Sequence, residues 1–358
     1  MDTPPALYAE DPAWADVVPI PQYEGVSPLA PIFYTPEYKD ATDYFRGILK
    51  TGETSERVLE LTERIIRMNP AHYTAWQYRY KTLLALGSNL EDELRLMDMY
   101  CIKYLKTYQV WHHRRLLVTL LLPAPSTSPS PSPSSNPNPT HLQTSNPTLA
   151  LLQLQEELDF ISRCLSADTK NYHTWSYRQW LLSYFNHPRL WRGEVKWVER
   201  LITEDVRNNS AWHHRFFVVF ASGHGEKGED AVREEIAYAK QKISLAPNNA
   251  SVWNYLRGVL DHTHMPYSTL KSFVEPYTVE QEGRSEDVVD LEDPLPSAGA
   301  ELPCALAIEF LADVHEQEGG VEAVRKAVEL WKSLANEYDT IRKKYWEYRI
   351  REALATQQ

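Results

Sequence analysis

KTYQVWHHRR, residues 106–115, decides the fold, because its second half recurs along the chain while its first half does not. Aligned on tryptophan, five similar windows follow one another: NPAHYTAWQYR (69–79), LKTYQVWHHRR (105–115), TKNYHTWSYRQW (169–180), VRNNSAWHHRF (206–216) and APNNASVWNYLRG (246–258). A degenerate sixth, IRKKYWEYR, occupies 341–349. The anchors are Trp76, Trp111, Trp175, Trp212, Trp253 and Trp346, separated by 35, 64, 37, 41 and 93 residues. A 25-residue serine-proline insertion accounts for the excess in the second interval. The last interval has room for an acidic loop and a further helix pair. A period of about 35 to 40 residues is the signature of stacked helical hairpins.

Each unit carries the matching local pattern. Upstream of a window lies an amphipathic run such as SERVLELTERIIRMNP (55–70) or LQEELDFISRCLSAD (154–168). Val58, Leu61, Ile65 and Met68 share one face of a helix. That helix is expected to end at Asn69-Pro70, since the residue before proline is pushed out of the helical region. A second helix then carries the tryptophan. Within it an arginine three residues on shares the tryptophan's face: Arg79, Arg114, Arg178, Arg215 and Arg349, with Arg257 slipped by one. Such an arginine can lie against the ring or pair across the stack. The expected fold is therefore all-α, helical hairpins stacked into a curved solenoid with a concave gripping face.

Composition agrees and excludes several classes. The 358 residues carry a net charge of −12, from 37 basic and 49 acidic side chains. Without a dense cationic run, such a chain is a poor nucleic-acid binder. Eleven tryptophans and 21 tyrosines against 13 glycines suit a packed helical protein. Cys101, Cys164 and Cys304, widely spaced and without a CxxC, read as reduced intracellular thiols. There is no secretory pattern at the start, and the longest apolar stretch, LLVTLLL (116–122), is too short to span a bilayer. A cytoplasmic location is expected.

Three segments break the periodicity. Residues 1–36 form a proline-rich arm, expected to be extended or disordered. The rest, 37–358, is expected to be a single repeat domain. It is interrupted at 123–147 by a flexible Ser/Pro insertion and at about 262–300 by an acidic loop.

Candidates for chemistry are few. The pairs His112-His113 and His213-His214 are badly placed to chelate one metal, since adjacent helical residues point about 100° apart. His262 and His264 lie in a loop-like segment, no HExxH occurs, and helix-packing roles are expected for the histidines. Phosphate-binding glycine loops and a GxSxG nucleophile are absent, and the cysteines sit in apolar helical contexts. What stands out is the variation just before each tryptophan. Asn208-Asn209 and Asn248-Asn249 are ordinary cap residues; Lys106, Tyr108 and Gln109 are not. A lysine near a helix start opposes the dipole unless it faces an anion, so phosphate or carboxylate recognition is one reading and a solvated lysine the other.

At these windows the sequence resembles the α subunits of the protein prenyltransferases, marked by helical-hairpin repeats with a Trp-x-x-Arg core. KTYQVWHHRR, DTKNYHTWSYRQW, EDVRNNSAWHHRFF and NNASVWNYLRG occur in the family's order and spacing, and residues 38–76 look like its first repeat. The resemblance spans roughly 33–260 and resumes at IRKKYWEYR. It implies an α-α superhelix, a right-handed crescent solenoid, and an obligate heterodimer in which this chain wraps a barrel-shaped β subunit of farnesyltransferase or type I geranylgeranyltransferase. That partner would hold the zinc and most of the isoprenoid pocket, with magnesium accompanying the diphosphate and no metal ligand in this chain. The implied reaction moves a farnesyl or geranylgeranyl group from its diphosphate to the cysteine of a C-terminal CaaX motif. By the same resemblance Lys106 approaches the diphosphate and Gln109 binds the peptide carboxylate. Tyr108 lines the site, and Tyr172 and His173 lie at the interface beside it. Thr107 departs from the family's usual asparagine, which reads as a local cap change. Two alternatives are the α subunit of Rab geranylgeranyltransferase and a non-catalytic TPR-like scaffold. The TPR pattern is not matched, and Gln109 favours the CaaX enzymes.

Overall fold

The computed structural model describes residues 6–122, 147–223, 228–280 and 292–356, and each tryptophan window opens the second helix of a hairpin. The chain forms two compact units, Met1–His187 and Pro188–Gln358, where the sequence suggested one repeat domain from residue 37 onward. The boundary falls where Asn186 takes a left-handed conformation and Pro188 follows, a combination that stops α7. The first unit contains α1 (Pro36–Thr51), α2 (Glu56–Met68), α3 (Tyr73–Leu86), α4 (Leu90–Lys103), α5 (Tyr108–Leu121), α6 (Pro147–Ala167) and α7 (Tyr172–Phe185). The second contains α8 (Pro188–Trp191), α9 (Glu194–Glu204), α10 (Asn209–Phe216), α11 (Glu229–Leu245) and α12 (Ala250–Thr263). It continues with α13 (Lys271–Val274), α14 (Ala305–Glu318), α15 (Gly320–Ser333) and α16 (Lys343–Ala355). No strand occurs among the described residues. The long interval before Trp346 does contain a further pair, α14 and α15.

Helix α2 shows how pattern becomes packing. Val58, Leu61 and Ile65 are fully buried, as their spacing predicts. Met68 instead lies 38% exposed, and Ile66 takes the buried place. Ten residues along a helix brings a side chain about 80° off the starting face, so Met68 sits on its flank.

The first five anchor tryptophans each span the loop that introduces their helix, whereas the Nε1–H of Trp346 donates to the Asp339 carboxylate at 3.1 Å. In those five the Nε1–H donates to a backbone carbonyl six residues upstream at 2.8–2.9 Å: Trp76 to Pro70, Trp111 to Leu105, Trp175 to Thr169, Trp212 to Val206 and Trp253 to Pro247. The ring fills the core while its polar edge satisfies a carbonyl that burial would otherwise strand.

The arginines pair across the stack. Arg79 forms a fork with Glu93 of α4 (2.7 and 2.6 Å), Arg114 with Glu157 of α6 (2.6 and 2.6 Å), and Arg215 with Glu235 of α11 (2.7 and 2.7 Å). Every one of these glutamates also receives a residue of its own hairpin, twenty positions on: His113 on Glu93 (2.9 Å), Tyr177 on Glu157 (2.7 Å) and Tyr255 on Glu235. His214 meets Glu194 in the same register at 3.1 Å. These carboxylates are almost completely buried, and a forked guanidinium is the partner that makes such burial tolerable. Burial alone would raise the pKa of Glu93, but hydrogen bonds from His113 and Arg79 outweigh it and bring it down to about 2. Burial pushes His113 below the usual histidine range, so a neutral ring donating to Glu93 describes this contact better than an ion pair. Arg257, the slipped arginine, reaches Asp313 of α14.

Two of the irregular segments differ from expectation. The first part of the arm is seated on the first hairpins rather than loose. The Tyr8 N–H donates to Asp40 at 2.6 Å, and Arg57 forks onto Asp16 at 2.8 Å while lying over the buried Trp14. Gly47 lets this segment approach α1, since a Cβ there would stand 2.4 Å from the Val18 carbonyl oxygen. Proline content hid this, because the anchoring comes from two aromatic rings and paired charges. Likewise, the start of the acidic loop is built of short helical turns that bury Tyr267, Leu270, Phe273, Val274 and Tyr277. Residues 281–291 of that loop lie outside the described residues, as does the Ser/Pro insertion up to residue 146.

Candidate functional site

The residues singled out before Trp111 gather at the start of α5, in the first unit. The helices that carry Trp76, Trp175, Trp212 and Trp253 each begin with a side chain that accepts a first-turn N–H. These are His72 (from Ala75), Asn171 (from Thr174), Asn208 (from Ser210 and Ala211) and Asn249 (from Ser251). Thr107, at the same position of α5, makes no such bond. Its neighbours therefore stand at a helix end whose partial positive charge has no side-chain acceptor.

Lys106 extends from this point with its side chain 83% exposed, and its ammonium stands 3.6 Å from Asp168 Oδ2. Tyr108, the first residue of α5, is 64% exposed. Its ring stacks on His112 at 6.1 Å and meets His173 edge-on at 6.2 Å. Tyr172 opens α7 in the same way, 74% exposed and edge-on to His173 at 5.6 Å. Lys106, Tyr108, Tyr172 and His173 thus form one continuous edge across two successive hairpins. Gln109 lies in the first turn of α5, half-buried beside Tyr108.

The histidine pairs divide as helix geometry requires. His112 and His213 face outward, whereas His113 and His214 are buried on glutamates. All three cysteines are free and buried; burial raises each thiol, Cys164 to about 11, so they stay protonated at neutral pH. Among the described residues no group of three or more His, Cys, Asp and Glu side chains could hold a metal ion. Nor is any described helix long and apolar enough to cross a membrane.

Sequence reasoning overlooked two sets of residues. One is the buried glutamates, whose signal was available as Glu-x19-His/Tyr in four hairpins. The other is Asp168, which belongs to the next hairpin and meets Lys106 only through folding.

Hairpins held by buried Trp, Arg and Glu, with an open polar edge at the start of two helices, define a repeat-built subunit. Five segments, 55–86, 90–121, 154–185, 191–222 and 232–263, match the family described as "Protein prenyltransferase alpha subunit repeat". A Candida albicans relative, "Protein farnesyltransferase/geranylgeranyltransferase type-1 subunit alpha", is 30% identical over 338 residues, covering 94% of this chain and 96% of its own length. The Dictyostelium discoideum protein of the same name is 29% identical over 96% of this chain and 92% of its own. The chain belongs to the protein prenyltransferase α-subunit family. In structure it is similar to a chain of "Candida albicans protein geranylgeranyltransferase-I complexed with GGPP". The TM-score is 0.72 at 28% identity, covering 95% of this chain and 98% of that one.

Proposed function

We propose that this chain is the α subunit of a CaaX protein prenyltransferase, active with a β subunit in the cytoplasm. In that reaction the cysteine sulfur of the peptide bonds to C1 of farnesyl or geranylgeranyl diphosphate. The C1–O bond breaks, and the diphosphate leaves with the electron pair. Lys106 is the group of this chain placed to meet the charge that develops on the leaving oxygen. Gln109 can donate its amide to the C-terminal carboxylate of the peptide. Tyr108, Tyr172 and His173 wall the same edge. Zinc, proposed to be held by the β subunit, would supply thiolate activation, and magnesium would accompany the diphosphate.

The observation that carries this reading is the exposed Lys106 at the start of α5, beside two exposed tyrosines that open the second helices of successive hairpins. The breadth of the match to type-1 subunits supports it. The Saccharomyces cerevisiae "Geranylgeranyl transferase type-2 subunit alpha" is 25% identical over 62% of this chain, so a Rab-type role is the second reading. Coexpression with each kind of β subunit, followed by transfer assays with both lipids, separates them. Transfer to a CaaX peptide that needs both chains is the expected result. A stable complex that lipidates no CaaX peptide with either lipid would overturn it.

A further inference from the structure

Asp168 lies in the connection between α6 and α7, seven residues before Trp175. Its Oδ1 accepts the Lys170 N–H at 3.4 Å, and its Oδ2 accepts the Asn171 side-chain amide at 3.3 Å. The equivalent loops contain the same short turn: Asn69 Oδ1 accepts the Ala71 N–H at 3.1 Å and Asp205 Oδ1 the Arg207 N–H at 2.9 Å. An amide performs this task at position 69, so the turn needs no negative charge. The charge of Asp168 faces elsewhere, toward the Lys106 ammonium of the preceding hairpin.

We propose that Asp168 is a positioning residue for Lys106; this rests on the prenyl-transfer reading above. A lysine 83% exposed on a flexible four-carbon stem samples many orientations. Asp168 is the more fixed partner, 28% exposed and tied into its turn. Through Asn171, which caps α7 by accepting the Thr174 N–H at 3.0 Å, that turn is continuous with the backbone carrying Tyr172 and His173. The carboxylate therefore biases the ammonium toward the edge those rings form. At 3.6 Å the contact is longer than a hydrogen bond and open to water, so it guides the lysine without binding it tightly. A multiply charged diphosphate can take the ammonium over, and the lysine arrives with less orientation left to find.

The test uses the heterodimer carrying Asp168→Asn, which retains the acceptor that the turn requires. Turnover should fall about 3- to 10-fold, with KM for both substrates within about twofold, as expected for an interaction that acts in the transition state. In a Lys106→Ala background the same change should cost nothing further. Unchanged turnover, or an equal fall in the Lys106→Ala background, would overturn the proposal. So would a lower KM for the diphosphate with full turnover, since Asp168 would then be a competitor for the lysine. An unmodified heterodimer that transfers no lipid would defeat the functional reading itself, and the positioning role with it.

Discussion

Two windows of this chain, 105–115 and 206–216, share the letters Trp-His-His-Arg yet begin differently, one with KTYQ and the other with RNNS. Behind the tryptophan they are built alike. Trp111 and Trp212 each bond a carbonyl six residues back, His113 and His214 each meet a buried glutamate, and Arg114 and Arg215 each fork onto the following hairpin. In front of it Asn208 caps α10, whereas Thr107 leaves α5 without a side-chain cap and is flanked by Lys106 and Tyr108. A repeat of this kind has a shared interior and a private rim. The interior is constrained because each buried charge needs its partner; the rim is free to vary because water satisfies it.

The largest effects should come from the interior, and from both windows alike. Truncating one member of a fork, as in Glu157→Ala or Glu235→Ala, strips a buried guanidinium of its forked partner, leaving Arg114 with Asp98 at 2.7 Å and Arg215 with Glu199 at 4.0 Å, and should destabilise the chain by about 3–5 kcal/mol. Chemical denaturation measures this; a loss below 1 kcal/mol in either window would break the equivalence. The rim should behave in the opposite way. Lys106→Ala should slow prenyl transfer about 10- to 100-fold with little change in melting temperature. Arg207→Ala, at the matching exposed position, should leave turnover within about twofold. Equal losses from both would mean that the rim charge is generic.

Acidity probes the interior further. His72 and His113 have pKa values depressed chiefly by burial. The unfolded chain thus binds their protons first, and stability should begin to fall as pH drops through about 6.5. Glu93, depressed to about 2, contributes stability that is present above its unfolded value of 4.5 and lost from there downward. Melting temperatures between pH 8 and 2 should therefore decline in two stages, and His113→Gln should soften the first. The smallest effect belongs to the missing cap. Thr107→Asn should stabilise α5 by about 0.5–1 kcal/mol without changing turnover. A fall in turnover would assign part of the site's positive character to the helix end rather than to Lys106.

Periodicity carried much of the architecture. The tryptophan spacing located five hairpins, and the asparagines before Trp212 and Trp253 marked caps that the structure bears out at Asn208 and Asn249. It served less well where a segment is anchored by a few contacts. Trp14 and Tyr8 fasten a proline-rich arm, and Tyr267, Phe273 and Tyr277 bury turns that looked like loop. Composition averages over such residues, while packing depends on each one. At the candidate site, Lys106, Tyr108 and Gln109 were visible as departures from the repeat. Of their company, Tyr172 and His173 entered only through the family resemblance and Asp168 not at all, because these residues come from the next hairpin.

Local sequence was sufficient for helix identity, hairpin register and the contrast between interior and rim, since these follow from spacing along one or two helices. Folding alone assigned a glutamate to each of Arg79, Arg114 and Arg215 and seated the arm on α1. It also brought the lysine before α5 within reach of an aspartate 62 residues away. Those outcomes depend on which neighbour each side chain meets across the stack, and burial and charge select that neighbour only once the hairpins have packed.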